Sequence, residues 1–532
     1  MRRSFFWTLS ACALWAIIGL IYRFTQIQFY IIKHPQRLSK DASLVSTPTH
    51  QSTAPEDKEL QNLLRLTTWN IVPVPDDFQL STSQNTSSFT LLHPRSTYTM
   101  GETIEVLVTA KDHKGRPKTY GGDYFIVKLY STSMKAGVTG SVQDHNDGTY
   151  TATFLLVWPG ETKISVKLMH SSEAIAILHE KRDSRPDKIY FYGHYELNGT
   201  KEMVECNFDL PGRDVCEYYD AASGEKWVCV RPKKLPCNSY RQHSAGGSRD
   251  ILTTMEMEFL SMSVTDQEIP INLKPLNVLP NKNSRNRTRT VCTSGLPIPD
   301  PSGFYYQDLW ESLVCSNQHF PDASSVANCL AGKNVYMFGD STLRQWWSYL
   351  VDFIPTLKEI DLHAPHHPGP HLATDSKYNF LVQWRAHQKP LRMETIWLRD
   401  LHYIASELDN LGGRKGMVIV INCWAHFLTF PIEAYVRRLR GIRDAVKRFL
   451  ELNSEVKILI KSANTGYRFA HASDWLSLQL DTVMRAMFSD LPVTILDVWQ
   501  MTSCHRAPEN LHPPKVIVKN EIDLMLSFIC PS

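Results

Sequence analysis

The spacing of apolar residues changes character twice along this 532-residue chain. An uncharged run from Phe5 to Tyr22 follows Arg2 and Arg3 and stops at Arg23, close to the roughly 20 residues that a membrane-crossing helix needs. From about Ser87, apolar and polar residues alternate in short segments, at 103–112, 124–130, 144–154 and 163–168. Turn sequences such as Asp112 to Pro117, Asp147-Gly148 and Trp158-Pro159-Gly160 separate them. Alternation of period two between such turns predicts strands, and strands at this spacing predict a β-sandwich. Beyond Pro297, Pro299 and Pro301 the pattern changes again. Apolar strands at 334–338, 416–422, 456–461 and 492–497 alternate with helical segments at 341–353, 431–452, 475–487 and 516–528. Continuous apolar strands between helices predict a mostly parallel α/β sheet, whose active groups gather at the carboxyl ends of strands.

The expected organisation is therefore multidomain. It comprises an N-terminal membrane anchor (1–32), a stem rich in Ser, Thr, Pro and charge (33–80, with a short helix at 59–66), a β-sandwich of immunoglobulin-like type (81–200), a Cys-rich irregular extension (201–296) and an α/β domain (297–532). Large residues at Ile21, Tyr22 and Phe24 disfavour signal cleavage, so an uncleaved signal anchor is expected, with a cleaved signal and a secreted protein as the alternative. Positive residues on both flanks leave the orientation open. Both alternatives send the rest of the chain into the secretory lumen, as a single-pass membrane protein of the Golgi or elsewhere, or as a secreted one.

Composition adds little to this picture: 43% hydrophobic and 21% charged residues suffice for more than one core. A net charge of only +3 gives no reason to expect a nucleic-acid partner, and the basic stretch Lys282 to Arg289 reads as a solvated loop. Asn85, Asn198 and Asn286 each open a glycosylation sequon. Of eleven cysteines, Cys12 falls in the anchor and ten remain; in an oxidising lumen these predict disulfides of open connectivity. No Cys-x-x-Cys pair supports zinc, and the His-rich, Pro-rich stretch Asp361 to His371 reads as a rigid loop, so no metal is expected.

The chemistry centres on Gly339-Asp340-Ser341, at a predicted strand end where a helix begins. A serine there faces a crevice with helix N-terminal N–H groups positioned to stabilise an oxyanion. Asp340 or Ser341 as a simple helix cap is the plain alternative. A serine nucleophile needs a base, and His512, in the loop before the last helix, can return to the same crevice. Glu509, three residues earlier, and Asp497, at the end of the preceding strand, compete to orient its imidazole. Gly339 would permit close substrate approach, and Asn422, ending the central strand, would donate a side-chain N–H to the oxyanion. Arg344 would either bind an anionic substrate group or brace its helix. Trp346 and Trp347 read as core, and Trp424 as a platform for a sugar face.

The segment Val335 to Trp347 (VYMFGDSTLRQWW) and the closing segment from Leu496-Asp497 through His512-Pro513-Pro514 to Cys530 resemble the PC-esterase domain of the NXPE family, the neurexophilin and PC-esterase domain-containing proteins. Ser87 to Cys292 resembles the neurexophilin-like region, so the resemblance spans nearly everything beyond the anchor. It implies an SGNH-hydrolase-like fold for the last domain. Relatives in that superfamily include plant trichome-birefringence-like polysaccharide O-acetyltransferases and animal sialate O-acetyltransferases. The implied activity is acyl transfer from acetyl-CoA, as donor rather than bound cofactor, to a hydroxyl of a glycan or glycoprotein, sialic acids included, or the reverse hydrolysis. The superfamily's Gly-Asp-Ser block falls on residues 339–341 and its Asp-x-x-His block on Glu509 to His512, with Glu in place of Asp. The implied alternative is a catalytically inactive adhesion glycoprotein that binds a cell-surface receptor through the neurexophilin-like domain.

Overall fold

Thr103–Thr109 exposes Thr103 and Glu105 and buries Ile104, Val106 and Val108, which is how alternation becomes one face of a sandwich. This strand pairs with Ser88–Leu91 and Thr149–Leu155 in a four-stranded antiparallel sheet. Its apolar face meets a second sheet built on Tyr124–Ser131 and Gly160–His170, with Val106, Val127, Leu129, Phe154 and Val166 in the shared core. The computed structural model describes residues 54–531 apart from 221–222, 282–289, 366 and 470–471. The expected anchor, the first part of the stem and the sequon at Asn286 lie outside the described residues. Among the described residues no helix is long and apolar enough to cross a membrane.

Three expectations need correction. The later part of the stem is packed: Leu63 in the helix Ala54–Leu66 is buried, and Trp69 meets Trp475 and Tyr124 edge-on at 5.9 and 6.0 Å. The Cys-rich stretch is not irregular. Ile189–Leu197, Thr200–Asn207, Val215–Asp220, Glu225–Val230 and Tyr240–Ser248 form most of a six-stranded sheet, stapled by Cys206–Cys229 and Cys216–Cys237. Neither sheet closes within the expected boundaries. Leu276–Leu279 and Gly303–Tyr306 complete the sandwich, and Ile396–Trp397 completes the six-stranded sheet by pairing with Gln242 and His243.

The α/β sheet has seven strands in the order Lys358–Ile360, His371–Asp375, Phe380–Ala386, Asn334–Gly339, Met417–Ile421, Lys457–Lys461 and Thr494–Leu496. The last five are mutually parallel. Met417–Ile421 is buried at every position because helices cover both faces. Val335, Met337, Val418 and Leu459 face a core shared with Ser341–Phe353 and Lys515–Ile529. Phe338, Ile419, Ile421 and Ile460 face one shared with Ile432–Leu452 and Asp474–Phe488. Cys292–Cys315 and Cys329–Cys530 pair, while Cys423 and Cys504 are buried free thiols whose pKa values burial pushes up to about 12, so both are inert at neutral pH.

Candidate active site

The strand Asn334–Gly339 runs directly into the helix Ser341–Phe353. Asp340 caps that helix: its Oδ1 accepts from the Thr342 N–H (2.9 Å) and the Thr342 hydroxyl (2.7 Å), and its Oδ2 from the Ala425 N–H (3.2 Å). The cap leaves Ser341 half-buried at the first helical position. The Ser341 Oγ lies 2.9 Å from His512 Nε2, and its backbone N–H makes no hydrogen bond among the described residues, which suits an oxyanion donor.

His512 comes from the loop before the last helix, and three hydrogen bonds hold that loop. Asn510 Oδ1 accepts the His512 N–H (3.0 Å), Asn464 donates to the Leu511 carbonyl (2.8 Å), and Gln345, on the helix that Ser341 opens, donates to the Pro513 carbonyl (2.7 Å). Gly466, at φ +113°, lets the loop pass close, since a Cβ there would lie 2.4 Å from the Asn510 carbonyl carbon. Burial pushes the His512 pKa below its ordinary value; Arg344 and Lys461 push the same way and Asp340 opposes them. The imidazole is therefore held neutral, the form a general base needs.

The two acids expected behind His512 are engaged elsewhere. Glu509 pairs with Lys167 of the sandwich at 3.2 Å, and Asp497 caps the helix Val498–Cys504 and pairs with Arg485 at 2.8 Å. No carboxylate among the described residues hydrogen-bonds His512. Gly339 is required not by a substrate but by its neighbour strand, because a Cβ there would sit 2.3 Å from the Asn422 carbonyl oxygen. Asn422 is buried and does not reach Ser341. With its amide turned so that nitrogen faces the carboxylate, it donates to both Asp340 oxygens (2.8 and 2.9 Å) and accepts from Trp424 Nε1 (3.0 Å). Trp424 is buried against Tyr467 and offers no sugar platform. Arg344 braces the His-rich loop: it donates to the His367 carbonyl and lies 5.7 Å over the Trp384 ring. Asn85 and Asn198 are both exposed. Among the described residues no group of His, Cys, Asp or Glu is arranged to hold a metal.

Sequence reasoning missed His426. Its Nδ1 accepts the Arg392 N–H at 3.1 Å, which leaves Nε2 as the protonated, donating nitrogen. Burial pushes its pKa down to about 4, and the charges acting on it include Asp340, Arg392, His512 and Arg344. Its position four residues past Asn422, beyond the end of a central strand, was the available signal. A cavity of about 890 Å³ opens between the sandwich and the helix Asp474–Phe488, but neither Ser341 nor His512 lines it.

Two family models match the chain. Residues 310–530 match "NXPE family member 4-like, C-terminal domain", and residues 56–255 match "Neurexophilin". Among solved structures, FdeC, an Escherichia coli adhesin, is similar at 15% identity over 37% of this chain and 65% of its own, with a TM-score of 0.14. Invasin, a bacterial integrin-binding protein, is similar at 10% identity over 57% of this chain and 60% of its own, with a TM-score of 0.13. The chain spans less than two thirds of either, and overlaps this small bear on neither fold nor function.

Proposed function

The chain belongs to the NXPE family, and on that premise we propose that it is a serine-dependent carbohydrate O-acetyltransferase of the secretory pathway. The observation that carries this reading is the 2.9 Å contact between Ser341 Oγ and the neutral His512 Nε2 at the carboxyl end of a parallel strand. His512 takes the Ser341 proton as Oγ attacks the carbonyl of an acetyl thioester such as acetyl-CoA. The Ser341 N–H and the helix N-terminus stabilise the oxyanion, and the thiol leaves with the proton returned by His512. A glycan hydroxyl then gives its proton to His512 and attacks the acetyl-serine, and Ser341 is regenerated as the new ester departs. Water in place of the glycan makes the same site an O-acetylesterase.

An anionic acceptor such as a sialic acid fits the charges nearby. Arg344 donates to a carbonyl rather than a carboxylate, and the exposed Arg392 guanidinium has no ion-pair partner among the described residues. Four disulfides and a neurexophilin-like region fit a luminal protein, Golgi-resident or secreted. The decisive comparison is of O-acetylated glycans in cells expressing the intact chain or Ser341→Ala. The variant is expected to remove the acetylation that the intact chain adds, and equal acetylation would end the assignment.

One observation favours a second reading, an inactive receptor-binding glycoprotein: no described carboxylate orients His512. A fluorophosphonate probe separates the two. Labelling of Ser341 that His512→Ala slows by about 10²–10⁴-fold belongs to the enzyme, and absence of labelling to the binder.

A further inference from the structure

Glu509 occupies the place where the family pattern has the triad acid, yet its carboxylate is buried 3.2 Å from the Lys167 ammonium and makes no hydrogen bond to His512. Lys167 stands on the sandwich strand Gly160–His170 and also holds Asp266 at 2.9 Å. Burial alone would lower the Lys167 pKa, but the Glu509 and Asp266 carboxylates outweigh it and keep the ammonium charged. The Glu509 side chain is only 2% exposed, and a buried carboxylate is tolerated only with such a partner. The loop also rests on the Gly466 turn, which is fixed in turn: the buried Asp474 accepts the N–H groups of Gly466 (2.9 Å) and Tyr467 (2.8 Å). The four residues from Glu509 to His512 are thus clamped between the sandwich and the catalytic sheet.

We propose that Lys167 is a positioning residue for His512: the sandwich grips Glu509 and thereby holds the imidazole against Ser341, a task that a triad acid would otherwise perform from behind the ring. The proposal rests on the acyl-serine reading above. It makes the neurexophilin-like region a working part of the active site rather than a neighbour of it. Small displacements of a base relative to its nucleophile are costly, with about 1 Å able to lose 10²-fold in rate.

The test uses the full chain, expressed in a secretory lumen, with Lys167→Met, Lys167→Arg, Glu509→Gln and the Lys167→Met/Glu509→Gln pair. Two readouts are taken: the rate of Ser341 labelling by a fluorophosphonate, and hydrogen exchange across residues 505–514. Lys167→Met and Glu509→Gln are each expected to slow labelling about tenfold or more and to speed exchange in that segment. Lys167→Arg, which keeps the charge, is expected to restore both, and the double variant to be no worse than either single one. Labelling and exchange unchanged in Lys167→Met overturn the proposal, as does a fully additive double variant. If Lys167→Met does not fold, the isosteric Glu509→Gln decides by the same criteria. Should the intact chain not label at all, the acyl-serine reading fails by itself. The clamp is then judged by exchange, and unchanged exchange overturns it.

Discussion

Burial, two cations and one carboxylate act on the imidazole of His512, and together they set the pH range in which it is a neutral base. Burial lowers its pKa from the ordinary 6.5, Arg344 and Lys461 add to the lowering, and Asp340 opposes it. The working form is the neutral base, so Ser341 labelling should stay flat as pH falls through 6.5 and decline only below it. Arg344→Met removes one of the forces that lower the pKa, so the acid limb should move up toward 6.5. A limb at or above 6.5 in the intact chain, or a downward shift in the variant, would contradict this electrostatic account. The meeting of Ser341 with His512 was legible in the sequence because each sits at a locally marked place, a strand-to-helix junction and a His-Pro-Pro loop. Glu509 was misread because its partner Lys167 lies 342 residues away, and spacing along the chain says nothing about which partner a carboxylate takes. Asn422 and Trp424 were misread for a related reason: the buried Asp340 carboxylate draws both inward, one by its amide and the other through that amide.

The last helix, Lys515–Ile529, shows how a single element carries several obligations. It packs Ile522, Met525 and Leu526 against the core behind the helix Ser341–Phe353. It also presents the buried Glu521, whose Oε2 accepts from Trp346 Nε1 at 2.5 Å. Cys530, just past its end, is bonded to Cys329 across 201 residues. Replacing both cysteines by Ser should lower stability by about 2–5 kcal/mol, because the cross-link restricts the unfolded chain. Denaturant midpoints of the two proteins measure this, and coincident midpoints would mean the bond is energetically idle. Four helices and four parallel strands of this half were legible to within a residue or two, since helical period and continuous apolar runs are local signals, but the parallel strand Phe380–Ala386 and the short helices Ala323–Leu330, Ile404–Asn410 and Val498–Cys504 went unread. The six-stranded sheet was not. Thr200–Asn207 buries little beyond Cys206 and Asn207, so its pattern carries no alternation, and the cystines that make its core declare their pairing only in three dimensions.

Across the whole chain, the boundary that the sequence suggested near residue 297 is crossed repeatedly. Gly303–Tyr306 extends the sandwich, Ile396–Trp397 extends the six-stranded sheet, Lys167 grips Glu509, and Arg438 of the helix Ile432–Leu452 pairs with Glu225. The last contact is the most deeply placed. Arg438 and Glu225 side chains are 2% and 5% exposed, joined at 2.7 Å between Nη2 and Oε2, and the same guanidinium donates to the carbonyl of Lys389. Lys389 in turn sets its ammonium 5.3 Å from the rings of Trp227 and Tyr240 on the disulfide-stapled sheet. From Asp57 onward the chain forms one compact unit, so these ties should make its parts unfold together. Calorimetry of the intact chain is expected to show a single cooperative transition, and two well-separated transitions would refute this integration. Glu225→Gln leaves a buried guanidinium without its counter-charge and should cost about 3–5 kcal/mol. Because the pair spans the suggested boundary, that loss should lower the whole transition, helix and strand signals together, rather than detach the six-stranded sheet from an unaltered α/β sheet.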